Sequence, residues 1–117
     1  MELTTRMAGP LLVVTVPDHR IDAAVAIGFK DGMRAATIDE PDLAVLDLSN
    51  VEFIDSSGLG AIVASMKSLG RNRKLVLAGL TPNVEKVFRL TRMDSVFTLY
   101  RTLDEALDDL KVTSYEG

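Results

Sequence analysis

Apolar positions along the chain alternate between short continuous runs and stripes at helical spacing. Leu11-Leu12-Val13-Val14-Thr15-Val16 is the first convincing strand, rich in β-branched residues. Leu43-Ala44-Val45-Leu46-Asp47-Leu48 and Lys74-Leu75-Val76-Leu77-Ala78 follow, near-continuous as strands covered on both faces are. Gly9-Pro10 reads as a turn, so Glu2 to Met7 is expected to pair back as a short edge strand, and Val96 to Tyr100 reads as a last short strand.

Four helical stripes lie between and after these runs. Val25, Phe29, Met33 and Ala36 predict a helix starting near Asp22 and broken at Glu40-Pro41-Asp42. Gly28 and Gly32 sit on one side of it, which predicts close packing against a neighbour. Leu59, Ile62, Val63 and Met66 predict a second helix ending at Gly70. Thr81 as cap and Pro82 at the first position open a third, with Val84, Val87, Phe88 and Thr91 on its stripe. Thr102 caps a fourth bearing Leu103, Ala106, Leu107 and Leu110, with Asp104 and Glu105 placed to suit its dipole. After Lys111 the chain is polar and residues 112–117 are expected to fray. This order, strand-strand-helix and then strand-helix three times, predicts an α/β fold with a mostly parallel sheet joined by right-handed crossovers.

Composition narrows the picture. At 117 residues, 47% hydrophobic and 26% charged, the chain fits one globular domain, 1–117, with its core over about 9–111. A net charge of -4 predicts no nucleic-acid partner held by bulk electrostatics. The absence of cysteine excludes disulfides, thiolate catalysis and Cys-based metal sites. Met1-Glu2-Leu3-Thr4-Thr5-Arg6 lacks a signal-peptide core and no run is long enough to span a bilayer, so a cytoplasmic domain without membrane insertion, cofactor or metal is expected.

The candidate chemistry is Asp55-Ser56-Ser57-Gly58-Leu59-Gly60, where an apolar strand meets the second helix. Ser and Asp before such a stripe cap backbone N–H groups, and a phosphate is well tolerated at a helix N-terminus. Ser56 and Ser57 therefore read either as caps or as modification sites, and Asp55 either as a cap or as a group that orients a partner. Gly58 and Gly60 relax the backbone and remove bulk. Asp22 reads as a helix cap first and a recognition residue second. Ser56 as a hydrolase nucleophile finds little support: there is no Gly-x-Ser-x-Gly elbow and the one histidine, His19, is distant in sequence and reads as a turn residue. The segment also lacks the Gly-Lys-Ser/Thr ending of a phosphate-binding loop. Arg71, Arg73 and Lys74 read as a solvated turn, and Met33, Met66 and Met93 as core gap-fillers.

Phe53-Ile54-Asp55-Ser56-Ser57-Gly58-Leu59-Gly60 resembles the signature of anti-sigma factor antagonists, the STAS domain family. Arg20-Ile21-Asp22 resembles the family's acidic turn before the first helix, and Leu80-Thr81-Pro82, Val84, Phe88, Thr91 and Phe97 resemble its final third. The resemblance implies a mixed four- to five-stranded sheet flanked by about four helices and a non-enzymatic partner switch. In that switch a serine kinase, itself an anti-sigma factor, phosphorylates the first Ser of Asp-Ser-Ser-Gly. Only the unmodified antagonist captures the kinase and frees the sigma factor, and a phosphoserine phosphatase restores it. Carried over, Ser56 is the phosphoacceptor (Ser57 the lesser candidate), and Asp22, Asp55, Ser56, Ser57, Gly58, Leu59 and Gly60 bind the partner. The alternative within the fold is a constitutive scaffold or regulatory subunit of a transport complex, with Ser56 only a cap. Two departures stand out: His19-Arg20 where the family often has Gly-Glu, predicting a changed partner, and Arg92 where it often has Gly, predicting a changed helix end. Oligomeric state stays open, because an exposed edge strand could pair.

Overall fold

The computed structural model describes residues 1–38, 42–70 and 72–116. In chain order it contains β1 (Thr4–Ala8), β2 (Leu11–Thr15), β3 (Arg20–Ile21), α1 (Ala26–Thr37), β4 (Leu43–Asp47), β5 (Phe53–Ile54), α2 (Ser56–Leu69), β6 (Lys74–Ala78), α3 (Pro82–Leu90), a single 3-10 turn (Met93–Ser95), β7 (Leu99–Tyr100) and α4 (Leu103–Glu116). Five strands form one sheet in the order β1-β2-β4-β6-β7. β1 runs antiparallel to β2, joined by a turn in which Gly9 has φ +62°, and every other pairing in the sheet is parallel. The expected mixed, mostly parallel α/β architecture is the one observed.

Side chains on alternate faces of each strand build two cores. Leu12, Val14, Ala44, Leu46, Leu75 and Leu77 pack with Phe29 and Met33 of α1, Ile62 of α2 and Val84 and Phe88 of α3. On the opposite face Val45, Val76 and Ala78 pack with Ala106, with Leu103 and Leu110 alongside. Phe29 and Phe88 are fully buried, each stabilising the fold by about 1.5–3 kcal/mol through area removed from water. The two glycines of α1 do meet a close neighbour: a Cβ on Gly28 would lie 3.2 Å from Met1 N, and one on Gly32 3.1 Å from Leu3 Cδ1.

Several boundaries differ from expectation, each for a local reason. α1 begins at Ala26 rather than near Asp22, because Asp22 Oδ1 accepts from Ala24 N (3.1 Å) and Asp22 O from Val25 N (3.1 Å), a turn that competes with the helix. Asp22 therefore caps that turn and not α1. The break expected at Glu40-Pro41 lies outside the described residues, as does Arg71. Thr81 occupies the cap position of α3, with Pro82 first as expected, but its hydroxyl donates to Val51 O (2.7 Å) instead of capping. The last strand is only Leu99–Tyr100, since Met93–Ser95 form the 3-10 turn and Val96 is exposed. Thr102 Oγ1 does cap α4 (Leu103–Glu116), accepting from Glu105 N (3.1 Å). Arg73 is no solvated turn residue: Nε donates to Leu69 O (3.3 Å) and the guanidinium also to Thr37 O, closing the ends of α2 and α1 together. Arg92 takes the left-handed conformation (φ 62°, ψ 22°), so this helix end keeps a geometry that glycine would adopt more easily.

Candidate functional site

Sequence reading missed β3 and β5, which pair in parallel as a separate two-stranded sheet beside the main one. Two residues are too few to show a period, and the signal available was only the shared apolar Ile21 and Ile54. Arg20 stands opposite Phe53 and Ile21 opposite Ile54. The pairing is extended by His19 O, which accepts from Glu52 N (2.7 Å) and Phe53 N (3.2 Å).

Immediately after Ile54 the chain turns into α2, and Asp55 makes the junction. Its backbone is extended (φ -105°, ψ -175°), as an N-cap requires. Oδ1 accepts from Gly58 N (2.8 Å), while Oδ2 accepts from Ala23 N (3.2 Å) on the segment after β3. Asp55 N donates to Ile21 O (3.3 Å). Each carboxylate oxygen thus has a partner, one on the helix and one on its neighbour, so Asp55 acts as both cap and clamp. Gly58 completes the clamp. A Cβ there would lie 1.9 Å from Ile21 O, so only glycine lets the first turn of α2 approach β3 this closely. Gly60 differs: nothing lies within 4 Å of where its Cβ would be, so it removes no needed bulk.

Because Asp55 is the cap, Ser56 and Ser57 are not. They are the first and second residues of α2, both exposed, and neither hydroxyl has a hydrogen-bond partner among the described residues. A capping role for either serine, considered from the sequence, is overturned. Gly58 is buried and Leu59 half-buried against the core, whereas Gly60 is exposed. The structure therefore brings Asp22, Asp55, Ser56, Ser57 and Gly58 together. It turns Gly58 inward as support and presents the serines outward.

Beside them, Arg20 Nε donates to Asp22 Oδ2 (3.2 Å) and its guanidinium carbon lies 4.4 Å from the centre of the Phe53 ring. His19 is exposed, with Nδ1 3.1 Å from Asn50 O, so it behaves as a turn residue and activates no serine. Among the described residues no group of three His, Cys, Asp or Glu side chains is placed to hold a metal ion. Among them, too, no helix is long and apolar enough to cross a membrane. Ser56 and Ser57 thus present exposed hydroxyls at the positive N-terminal end of α2.

The fold is that of STAS domains, and the chain belongs to that family, whose model matches it over residues 3–106. It is 28% identical over 110 residues to the anti-sigma-F factor antagonist RsfB of Mycobacterium tuberculosis, covering 86% of this chain and 90% of that protein. It is 32% identical over 80 residues to the anti-sigma-B factor antagonist of Listeria monocytogenes, covering 68% of this chain and 70% of that one. The crystal structure of an anti-sigma factor antagonist from Mycobacterium paratuberculosis superposes with a TM-score of 0.83 at 31% identity, covering 93% of this chain and 92% of that one. These relatives are regulatory proteins and not enzymes, in keeping with the expectation drawn from the sequence.

Proposed function

We propose that this chain is an anti-sigma factor antagonist of the partner-switching kind. Its unmodified form binds an anti-sigma factor that is also a serine kinase, and so releases a sigma factor. Phosphorylation of Ser56 ends that binding and a phosphoserine phosphatase restores it. The supporting observation is the division of labour at the head of α2: Asp55 caps the helix with one oxygen and clamps the Ile21–Ala23 segment with the other, leaving the Ser56 hydroxyl exposed. A hydroxyl with no structural duty can be modified without unfolding the domain.

The physical effect of the modification supports the same reading. A phosphate adds about -1.5 to -2 charge near neutral pH and three acceptor oxygens. The helix N-terminus offsets part of that charge, so the fold tolerates it. Asp55 precedes Ser56 and Asp22 lies on the clamped segment, with Arg20 paired to Asp22, so the added charge leaves the surface net negative. A partner seated over Ser56, Ser57 and Gly60 would have to desolvate that charge. A penalty of about 3 kcal/mol lowers affinity more than a hundredfold.

The test is a binding experiment in two forms of the chain. Ser56→Ala is expected to capture an ATP-binding serine kinase from native extract, and Ser56→Asp is expected not to. The purified kinase with ATP should then add one phosphate to the wild-type chain and none to Ser56→Ala. Equal capture by both variants, without phosphate transfer, would support the constitutive scaffold instead.

A further inference from the structure

The Arg20 side chain is held on two sides yet open on a third. It lies over the Phe53 ring (4.4 Å) and donates through Nε to Asp22, but 62% of it is exposed. A guanidinium has five N–H donors in a planar fork. Only the Nε–H is engaged among the described residues, leaving the four on the terminal nitrogens without a protein acceptor. Phe53 beneath it is one of the large apolar side chains left exposed, at 43%.

The register of the two-stranded sheet places this cation next to α2. Past Ile21–Ile54 the next residues are Asp22 and Asp55, and Ala23 N is bonded to Asp55 Oδ2. Asp22, which holds the guanidinium, therefore immediately precedes the residue bonded to the cap of α2, and Ser56 immediately follows that cap. Of the neighbouring elements, α1 packs on α2 and carries Lys30 and the exposed pair Asp31 and Arg34, 3.7 Å apart. Asp18, His19 and Asp22 flank β3, Glu52 and Asp55 flank β5, and residues 56–66 of α2 carry none. α3 packs on β5 and contributes Glu85 and Arg89, paired with each other at 2.7 Å, and the exposed Lys86. Within the two-stranded sheet, Arg20 is the only cation.

We propose that Arg20 is the internal ligand of a phosphate on Ser56, exchanging Asp22 and the Phe53 ring for it. A phosphate dianion outcompetes one carboxylate for the guanidinium, because it carries more charge and offers two oxygens to the fork. The exchange lifts Arg20 from Phe53, so one modification alters two features of the surface: the charge at Ser56 and the cover over the aromatic ring. This rests on Ser56 being the modified residue, but its test needs no kinase.

The full chain is made with phosphoserine installed at position 56 during translation, alone and combined with Arg20→Gln, Arg20→Lys or Lys86→Gln. Phosphorus NMR titration reads the second pKa of the phosphate, and proton NMR reads the Phe53 ring. The pKa is expected to lie about half a unit or more lower with Arg20 present than in Arg20→Gln, with Arg20→Lys between them and Lys86→Gln unchanged. The Phe53 ring signals should shift on phosphorylation only when Arg20 is present. Equal pKa values with and without Arg20, or a lowered pKa lost in Lys86→Gln, would overturn the proposal. Such a result leaves the Ser56 switch standing, whereas an unmodified native Ser56 would end the switch and leave this geometry intact.

Discussion

Replacing Gly58 by alanine should be among the most damaging small changes in the molecule. The added Cβ would lie 1.9 Å from Ile21 O and 2.7 Å from Ile21 C, both backbone atoms. Ordinary contact begins at 3.4 Å, so α2 and β3 must separate by about 1.5 Å. That movement stretches Asp55 Oδ2–Ala23 N (3.2 Å) and Asp55 N–Ile21 O (3.3 Å) out of bonding range. Each such bond contributes about 0.5–1.5 kcal/mol net, and the fully buried Ile21 loses packing as well. Alanine returns at most about 1 kcal/mol of helix propensity. The balance is a loss of about 2–4 kcal/mol. With a urea slope of about 1.5 kcal/mol per molar, the unfolding midpoint should fall by about 1.3–2.7 M at unchanged slope. Gly60→Ala is the internal control: same helix, open space, and an expected gain of about 0.5–1 kcal/mol. If Gly58→Ala unfolds at the wild-type midpoint, the close approach of α2 to Ile21 does not exist and the clamp argument fails with it.

The remaining predictions concern single side chains. Arg92→Gly relieves a non-glycine left-handed residue and should stabilise the chain by about 0.5–1 kcal/mol, read as a higher melting temperature by calorimetry. Asp55→Ala removes both the cap and the bridge to Ala23 and should cost about 1–2 kcal/mol or slightly more, with Asp55→Asn costing less because its side-chain oxygen still caps. Tyr100 has its phenol pushed up to about 12, first by burial and then by its hydrogen bond and charge interaction with Asp109. Its protonated form is favoured by folding, so this contribution is complete below pH 10 and is lost as pH rises through 12. Tyr100→Phe should remove the late step of the phenolate absorbance titration and flatten that alkaline loss.

How much the sequence revealed follows from how many residues each feature needs. β2, β4 and β6 each have five residues, nearly all apolar, and were legible as strands of a covered parallel sheet. β3 and β5 have two residues each, and their existence depends on a long-range pairing that no local pattern encodes. The same pairing explains why Asp55 looked ambiguous. One of its bonds is to Gly58, three residues on, which a cap motif predicts; the other is to Ala23, which is distant in sequence. Gly58 and Gly60 looked alike in sequence, and only the approach of Ile21 separates them. Thr81 and Arg73 were misread for a similar reason, since each satisfies a carbonyl far away in the chain. The family signature was legible because it is contiguous, running from Phe53 to Gly60.

The central claim is that the exposed Ser56 hydroxyl is where regulation acts. It is tested most directly by intact-mass and peptide mass spectrometry of the chain purified from its native cells in two growth states. The account predicts a single phosphate, mapped to Ser56, whose occupancy changes between the states. A chain unmodified in both states, with partners still held by Ser56→Asp, would contradict it.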